Sequence, residues 1–346
     1  MGGASQALRL RGLSARDSSG RCLVDGVDLD VSPGEIVGLV GESGSGKTIT
    51  LRCCMGLAPR GVSWAAEEDA VAGESLLGAS RRERARLLGT RVGFVPQNTM
   101  EYLHPLIRVR DQVVDGLLAH RRDVTRAQAV ARARALLDEL GIEEPDRVLA
   151  SYPAQLSGGM RQRVKLAAAL ICDPAIVVAD EPTAALDVVT QGRVVDMLVR
   201  ACRERGVAVL MVSHAIGLVR GSCDRVAVMH AGRVVERGAA RRVCDDPGHP
   251  YTRALVAAQP RVGASRDRRL AEIPGTMPAE GRDAAGCTYA GRCPLAGRDC
   301  VAGPIPARTR DRDHEVRCLR AWAAPGGGRA SGDPADGEAT RGGGEA

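Results

Sequence analysis

Between Pro33 and Thr48 the chain reads PGEIVGLVGESGSGKT, and no other stretch narrows its possible folds as much. Glu35 to Val40 is a short, β-branched apolar run bounded by Gly34 and Gly41, which predicts a buried parallel strand. Gly41, Gly46, Lys47 and Thr48 fit the spacing G-x-x-x-x-G-K-S/T, and the apolar stretch from Ile49 to Leu57 can continue as a helix. Strand, glycine-rich loop and helix in that order make a phosphate-binding P-loop. The glycines let backbone N–H groups turn inward on the anion, and the helix starts with its positive dipole end toward it. Gly41, Glu42, Ser43, Gly44, Ser45, Gly46, Lys47 and Thr48 are therefore the predicted nucleotide-binding set. Lys47 would reach the β and γ phosphates, and the Thr48 hydroxyl would ligate magnesium. A glycine-serine turn that happens to contain a lysine is the plainer reading, and 42 glycines make such turns common. Lysine is scarce, however, because Lys47 and Lys165 are the only two among 48 basic residues.

At 346 residues the chain can hold one large α/β domain plus a smaller appendage. Hydrophobic residues make up 44% and aromatics 2%, so the predicted core is built from Ala, Val, Leu and Ile. The net charge of +6 comes from arginines scattered among 42 acidic residues, which favours a solvated surface over a nucleic-acid site and leaves a weak attraction to an anionic membrane face. No apolar run approaches the roughly 20 residues that span a bilayer. The N-terminal MGGASQALRLRG lacks the apolar core of a secretory signal, and Gln6 stands where myristoylation needs Ser or Thr. These features predict a cytoplasmic chain whose eleven cysteines are thiols or metal ligands rather than disulfides.

Upstream of the P-loop, Leu8 to Leu13 and Cys22 to Val31 read as an antiparallel pair split by the turn-rich Asp17 to Gly20. Nothing before Trp64 is aromatic, so a ring that stacks on adenine is missing from this pair or replaced, with Arg16 as the candidate. Gly61 to Thr90 is poorly patterned apart from a basic helix candidate at Arg81 to Leu88. Arg91 to Pro96 returns to strand character and ends at Gln97, whose amide can serve a metal or an attacking water, although an isolated glutamine is more often plain loop. Thr125 to Leu140 is an amphipathic helix with Gly141 where a C-cap belongs. Ser157-Gly158-Gly159 precedes another apolar helix and makes a second anion-ready N-terminus. Ala175 to Ala179 is a strand ending in Asp180-Glu181, which fits a Walker B segment: Asp180 on the magnesium shell and Glu181 polarising water. Strand-end carboxylates are often ordinary caps, and the upstream P-loop is what favours chemistry here. Val207 to Val212 forms one more strand, closing on Ser213-His214, where the imidazole can sense a γ phosphate.

Taken together, these residues resemble the ATP-binding subunits of ABC transporters. The P-loop, Gln97, the signature Leu156-Ser157-Gly158-Gly159-Met160, Asp180-Glu181, Ala185-Leu186-Asp187 and His214 stand in that family's order over about the first 240 residues. The resemblance implies an α/β P-loop NTPase cassette with a RecA-like core, an antiparallel β subdomain and a helical signature subdomain. It also implies that two ATPs are sandwiched head to tail between two such subunits. By that carry-over Gln97 senses magnesium and couples to the membrane subunit, Glu181 is the general base, and His214 holds the γ phosphate. Leu156 to Met160 would complete the partner's ATP site, and Asp187 would communicate across the interface. Closure on ATP and release on hydrolysis would then drive alternating access. The chain departs from the family pattern at Ala215, where Asp is frequent, and at Pro96 and Asn98, where Phe and Asp are usual.

The C-terminal third narrows the resemblance. Pro247-Gly248-His249-Pro250-Tyr251-Thr252-Arg253-Ala254-Leu255, Ile273-Pro274-Gly275 and the segment Gly286 to Pro294 look like the C-terminal extension of oligopeptide and dipeptide importer ATPases, which nickel importers share. This implies import, with peptides as the leading substrate class. It also implies a second, related ATPase giving a heterodimer, two transmembrane permease subunits, an extracellular solute-binding protein, and a place on the cytoplasmic face of the cell membrane. Cys287, Cys293, Cys300 and Cys318 have gaps unlike the tight pairs of zinc ribbons. Four thiolates can hold a 4Fe-4S cluster, as in some members of the subgroup, with zinc and free thiols as the alternatives. The expected divisions are residues 1–240 for the ATP-binding domain, 241–322 for the extension and 323–346 for a disordered tail poor in apolar residues. A soluble ABC ATPase of DNA repair or the ribosome is the rival reading, but the long heptad insertion of the one and the tandem cassettes of the other are absent. A non-hydrolytic regulatory module would lack the lysine or the base, and this chain has both.

Overall fold

The computed structural model describes residues 6–97, 102–183, 188–259, 272–277, 284–310 and 313–322. Asp187 and Asn98 lie outside the described residues, as does the segment from residue 323 onward. The strands in chain order are β1 (Leu8–Arg16), β2 (Cys22–Val31), β3 (Ile36–Val40), β4 (Ser63–Ala65), β5 (Glu68–Val71), β6 (Val92–Val95), β7 (Ile176–Asp180), β8 (Ala208–Ser213), β9 (Arg225–His230), β10 (Arg233–Ala239), β11 (Arg308–Arg310) and β12 (His314–Val316).

Two sheets result. In the larger, the order is β11-β12-β10-β9-β3-β8-β7-β6, with β9, β3, β8, β7 and β6 parallel to one another and β10, β12 and β11 added antiparallel beyond β9. In the smaller, β1 pairs antiparallel with β2, β4 and β5. The parallel strands read as unbroken apolar runs because both their faces are covered. Ile36 and Val40 of β3 face one core while Val37 and Leu39 face another, and Val209 with Met211 and Leu210 with Val212 split the same way on β8. This two-residue alternation puts a P-loop helix, Lys47–Cys54, over one face and the helical region over the other.

The helical region is built from Val109–His120, Arg126–Glu139, Pro145–Ala150 and Gly158–Leu170. Thr125 caps the second of these with Gln128 in a reciprocal capping box, and Gly141 takes a left-handed φ of 72° just past its end. The stretch between Gly61 and Thr90, poorly patterned in the sequence, contributes β4, β5 and the helix Arg81–Thr90, which Ser80 and Glu83 cap. Strands this short have too few alternating positions to announce themselves. β12, in the C-terminal extension, pairs with β10 at Glu236↔Val316 and Arg237↔Glu315, so the extension adds strands to the edge of the core sheet.

Candidate functional site

The P-loop follows β3 at the carboxyl edge of the parallel strands, where open α/β sheets bind ligands. A Cβ on Gly41 would lie 2.2 Å from the Met229 carbonyl oxygen, and one on Gly46, at φ 106°, would lie 3.0 Å from that of Leu23, so neither position tolerates a side chain. Lys47 is 5% exposed, and its ammonium donates to the Gly41 and Glu42 carbonyls at 2.8 and 2.9 Å. Burial lowers its pKa, opposed by the negative charges of Glu181, Asp180 and Glu42. The loop therefore holds a desolvated cation whose charge is available to an anion.

Beside it, the Thr48 hydroxyl donates to Asp180 Oδ1 at 3.2 Å. These two residues are 132 positions apart in sequence and are the pair from which a magnesium shell would be built. Burial raises the Asp180 pKa, and the Thr48 hydrogen bond opposes it. Next along the chain, Glu181 turns out of β7 with a left-handed φ of 44°, unusual for a non-glycine residue. Its N–H donates to the Val212 carbonyl at 3.1 Å, tying the turn to the end of β8. Gln97 Nε2 donates to Glu181 Oε2 at 2.9 Å, and His214 Nδ1 lies 3.6 Å from the same oxygen. Gln97, Glu181 and His214, read separately from the sequence, thus meet at one carboxylate oxygen.

Two further residues shape this corner and were not singled out by sequence. Lys165, fully buried with its pKa pushed down to about 8 by burial, donates to the Pro96 carbonyl at 3.0 Å, just before Gln97. Gln162 donates to the Pro182 carbonyl, just after Glu181. Lysine scarcity was the available signal for the first.

The signature lies elsewhere. Ser157 caps Gly158–Leu170 by accepting the Met160 N–H at 3.2 Å, and Leu156 is buried beneath it. Ser157 and Gly158 are exposed, and a Cβ on Gly158 or Gly159 would meet nothing within 4 Å, so this helix N-terminus opens outward. Its helix packs on β6 and the helical region, whereas the P-loop helix packs on β1, β2, β7 and β8. The structure does not bring the signature to this chain's own P-loop. Arg16, the candidate adenine partner, is exposed at the end of β1 and donates to the Gly20 carbonyl of its own hairpin at 2.9 Å. A cleft of about 450 Å³ is lined by Met55, Leu57, Phe94, Gln97, Tyr102 and Asp180, among others. Leu57 and Tyr102 on its rim, with Leu106 and Ile107 nearby in sequence, are exposed large apolar side chains.

Residues 24–184 match the family described as ABC transporter, and residues 235–300 match that described as oligopeptide/dipeptide transporter, C-terminal region. A Brucella melitensis protein named for peptide import ATP binding is 39% identical over 308 residues, covering 86% of this chain and 91% of its own. The chain belongs to the ATP-binding subunits of ABC transporters. The Escherichia coli D,D-dipeptide transport ATP-binding protein DdpD is 40% identical over 297 residues, covering 85% of this ATPase and 89% of its own chain. Among solved structures, the dimeric ABC cassette MJ0796 superposes with a TM-score of 0.59 at 28% identity, covering 68% of this chain and 99% of its own. Among the described residues of this ATPase, no helix is long and apolar enough to cross a membrane.

The C-terminal extension of the ATPase reaches its P-loop. Tyr251 is fully buried, and its hydroxyl accepts the Glu42 N–H at 2.8 Å. The Arg292 guanidinium grips the Glu42 carboxylate with two hydrogen bonds of 2.8 and 2.9 Å. The four cysteines of this region carry free thiols, with Cys300 and Cys318 buried and Cys287 and Cys293 partly so. Burial pushes the Cys287, Cys293 and Cys318 thiols up, that of Cys318 to about 12, and the other three add to the rise at Cys318. Yet among the described residues no three His, Cys, Asp or Glu side chains are disposed to hold a metal ion. The expectation of a four-cysteine 4Fe-4S site is corrected to that extent. The backbone joins Cys287 N–H to the Cys300 carbonyl at 2.7 Å, and the Cys318 sulfur accepts the Arg320 N–H at 3.2 Å.

Proposed function

We propose that this ATPase hydrolyses ATP to energise uptake of di- or oligopeptides across the cytoplasmic membrane. The observation that carries the reading is the meeting of Gln97 and His214 at the Glu181 carboxylate beside the Thr48–Asp180 pair. Backbone N–H groups of Gly41 to Gly46 and the Lys47 ammonium take the phosphates. Thr48, Asp180 and Gln97 would hold magnesium, which would supply positive charge against the phosphates. Glu181 accepts the proton of the attacking water, and Gln97 and His214 orient that carboxylate, with His214 also reaching the γ phosphate. The outward-facing signature, Leu156 to Met160, completes the ATP site of a second, related ATPase, and Asp187 belongs to the same interface.

The peptide class is supported by the names of the relatives and by the match over residues 235–300. The apolar rim around the Gln97 cleft suits one of two transmembrane permease subunits, which hold the ATPase at the cytoplasmic face and receive substrate from an extracellular binding protein. Reconstitution of the ATPase with those partners in proteoliposomes tests this. ATP-dependent uptake of a labelled dipeptide, abolished by Lys47→Ala, is expected; uptake of nickel without peptide would overturn the substrate class.

A further inference from the structure

The extension touches the nucleotide site through Glu42, the second residue of the P-loop. The Glu42 carbonyl accepts from the Lys47 ammonium at 2.9 Å, so the position of this one peptide helps set where the phosphate-binding cation sits. The N–H of the same residue is held from the other side by Tyr251 Oη. Tyr251 cannot easily shift, because His230 and Tyr289 meet its ring at centroid distances of 4.6 and 5.3 Å. The Glu42 carboxylate is held by Arg292, whose side chain is only 8% exposed. Arg292 is itself fixed by donation from Nε to the Pro274 carbonyl at 2.6 Å and by lying over the Tyr289 ring at 5.7 Å. A bidentate, water-shielded arginine–carboxylate pair is directional and far less screened than a surface pair.

We infer that the extension is a clamp on the P-loop: Tyr251 and Arg292 are positioning residues that hold Glu42, and through it Lys47, in the geometry that admits ATP. Nucleotide affinity then depends on the docking of a segment more than 200 residues downstream. This rests on the P-loop being the ATP site.

Titration of the full-length ATPase with magnesium ATP, followed by calorimetry, tests the clamp. Tyr251→Phe, which keeps the ring and removes the acceptor, and Arg292→Ala should each weaken ATP binding roughly fivefold or more, the lower end of ordinary coupling between sites. Glu42→Ala combined with Arg292→Ala should bind ATP no more weakly than Arg292→Ala alone, because each acts through the other. Arg320→Ala, which breaks the Arg320–Asp299 pair within the extension, should lower the melting temperature and leave ATP affinity at the wild-type value. If Tyr251→Phe and Arg292→Ala stay within about twofold of wild type while Lys47→Ala has lost binding, the clamp is wrong and the P-loop assignment stands. If Arg320→Ala weakens ATP binding as much as Arg292→Ala, the extension only stabilises the fold and the clamp is again wrong. Retained binding in Lys47→Ala would overturn the P-loop assignment itself.

Discussion

Glu181 occupies a backbone conformation that costs on the order of 1–3 kcal/mol for a residue with a Cβ, and such strain persists only where surrounding contacts over-determine it. The contacts are present: its N–H is tied to β8, Gln97 holds its carboxylate, and Gln162 holds the next residue's carbonyl. Glu181→Gln keeps size and shape while removing the proton acceptor. Its expected phenotype is ATP binding near wild type with turnover reduced about a hundredfold or more, the usual scale for a lost general base. Phosphate release under saturating ATP measures this, and undiminished release would remove Glu181 from that role. Motif residues such as Lys47, Thr48, Asp180 and Glu181 were legible because phosphate and metal chemistry admits few residue types. The left-handed turn at Glu181 was not, because nothing in the letters Asp-Glu-Pro-Thr marks a positive φ.

Among elements, the signature helix is seated on β6 through Gly93. A Cβ there would lie 2.3 Å from the Ala169 carbonyl oxygen. Gly93→Ala should push the helix Gly158–Leu170 away from the sheet and lower stability by about 1–3 kcal/mol, the usual cost of overpacking. A chemical denaturation midpoint equal to wild type would show that the helix yields freely. The extension has its own element-scale prediction, because burial depresses the His230 imidazole to about 4 and the His249 imidazole to about 3. His230 is faced by Thr288, Tyr251 and Tyr289, with Arg292 and Glu42 acting on its charge, and His249 is affected by His230. The unfolded chain protonates these histidines near 6.5 and the folded chain does not, so the unfolded state binds more protons in that window. Stability should therefore be flat above about pH 6.5 and fall as pH drops toward 4. His230→Gln should flatten part of that slope, measured as denaturation midpoints across the range, and an unchanged slope would mean that His230 does not contribute to it.

For the whole molecule, the signature and the P-loop stand apart, and on the function proposed above each completes a nucleotide site only with a partner ATPase. The heterodimer reading predicts that Glu181→Gln protein with magnesium ATP sediments as a monomer alone and forms a one-to-one complex when the second ATPase is added. A homodimer formed by this chain alone would overturn that reading. Local chemistry and periodicity determined much of this protein from sequence: the strand, loop and helix around Lys47, the β7 carboxylates, and the helix capped by Thr125. Each is encoded by residues within a few positions of one another, where backbone geometry and residue type suffice. Only the tertiary structure decided that β12 joins the core sheet, that Lys165 holds the loop before Gln97, and that Arg292 closes on Glu42 across 250 positions. Pairings of that kind depend on how buried apolar faces bring distant segments together, and a single arginine or tyrosine carries no local sign of the partner it will meet.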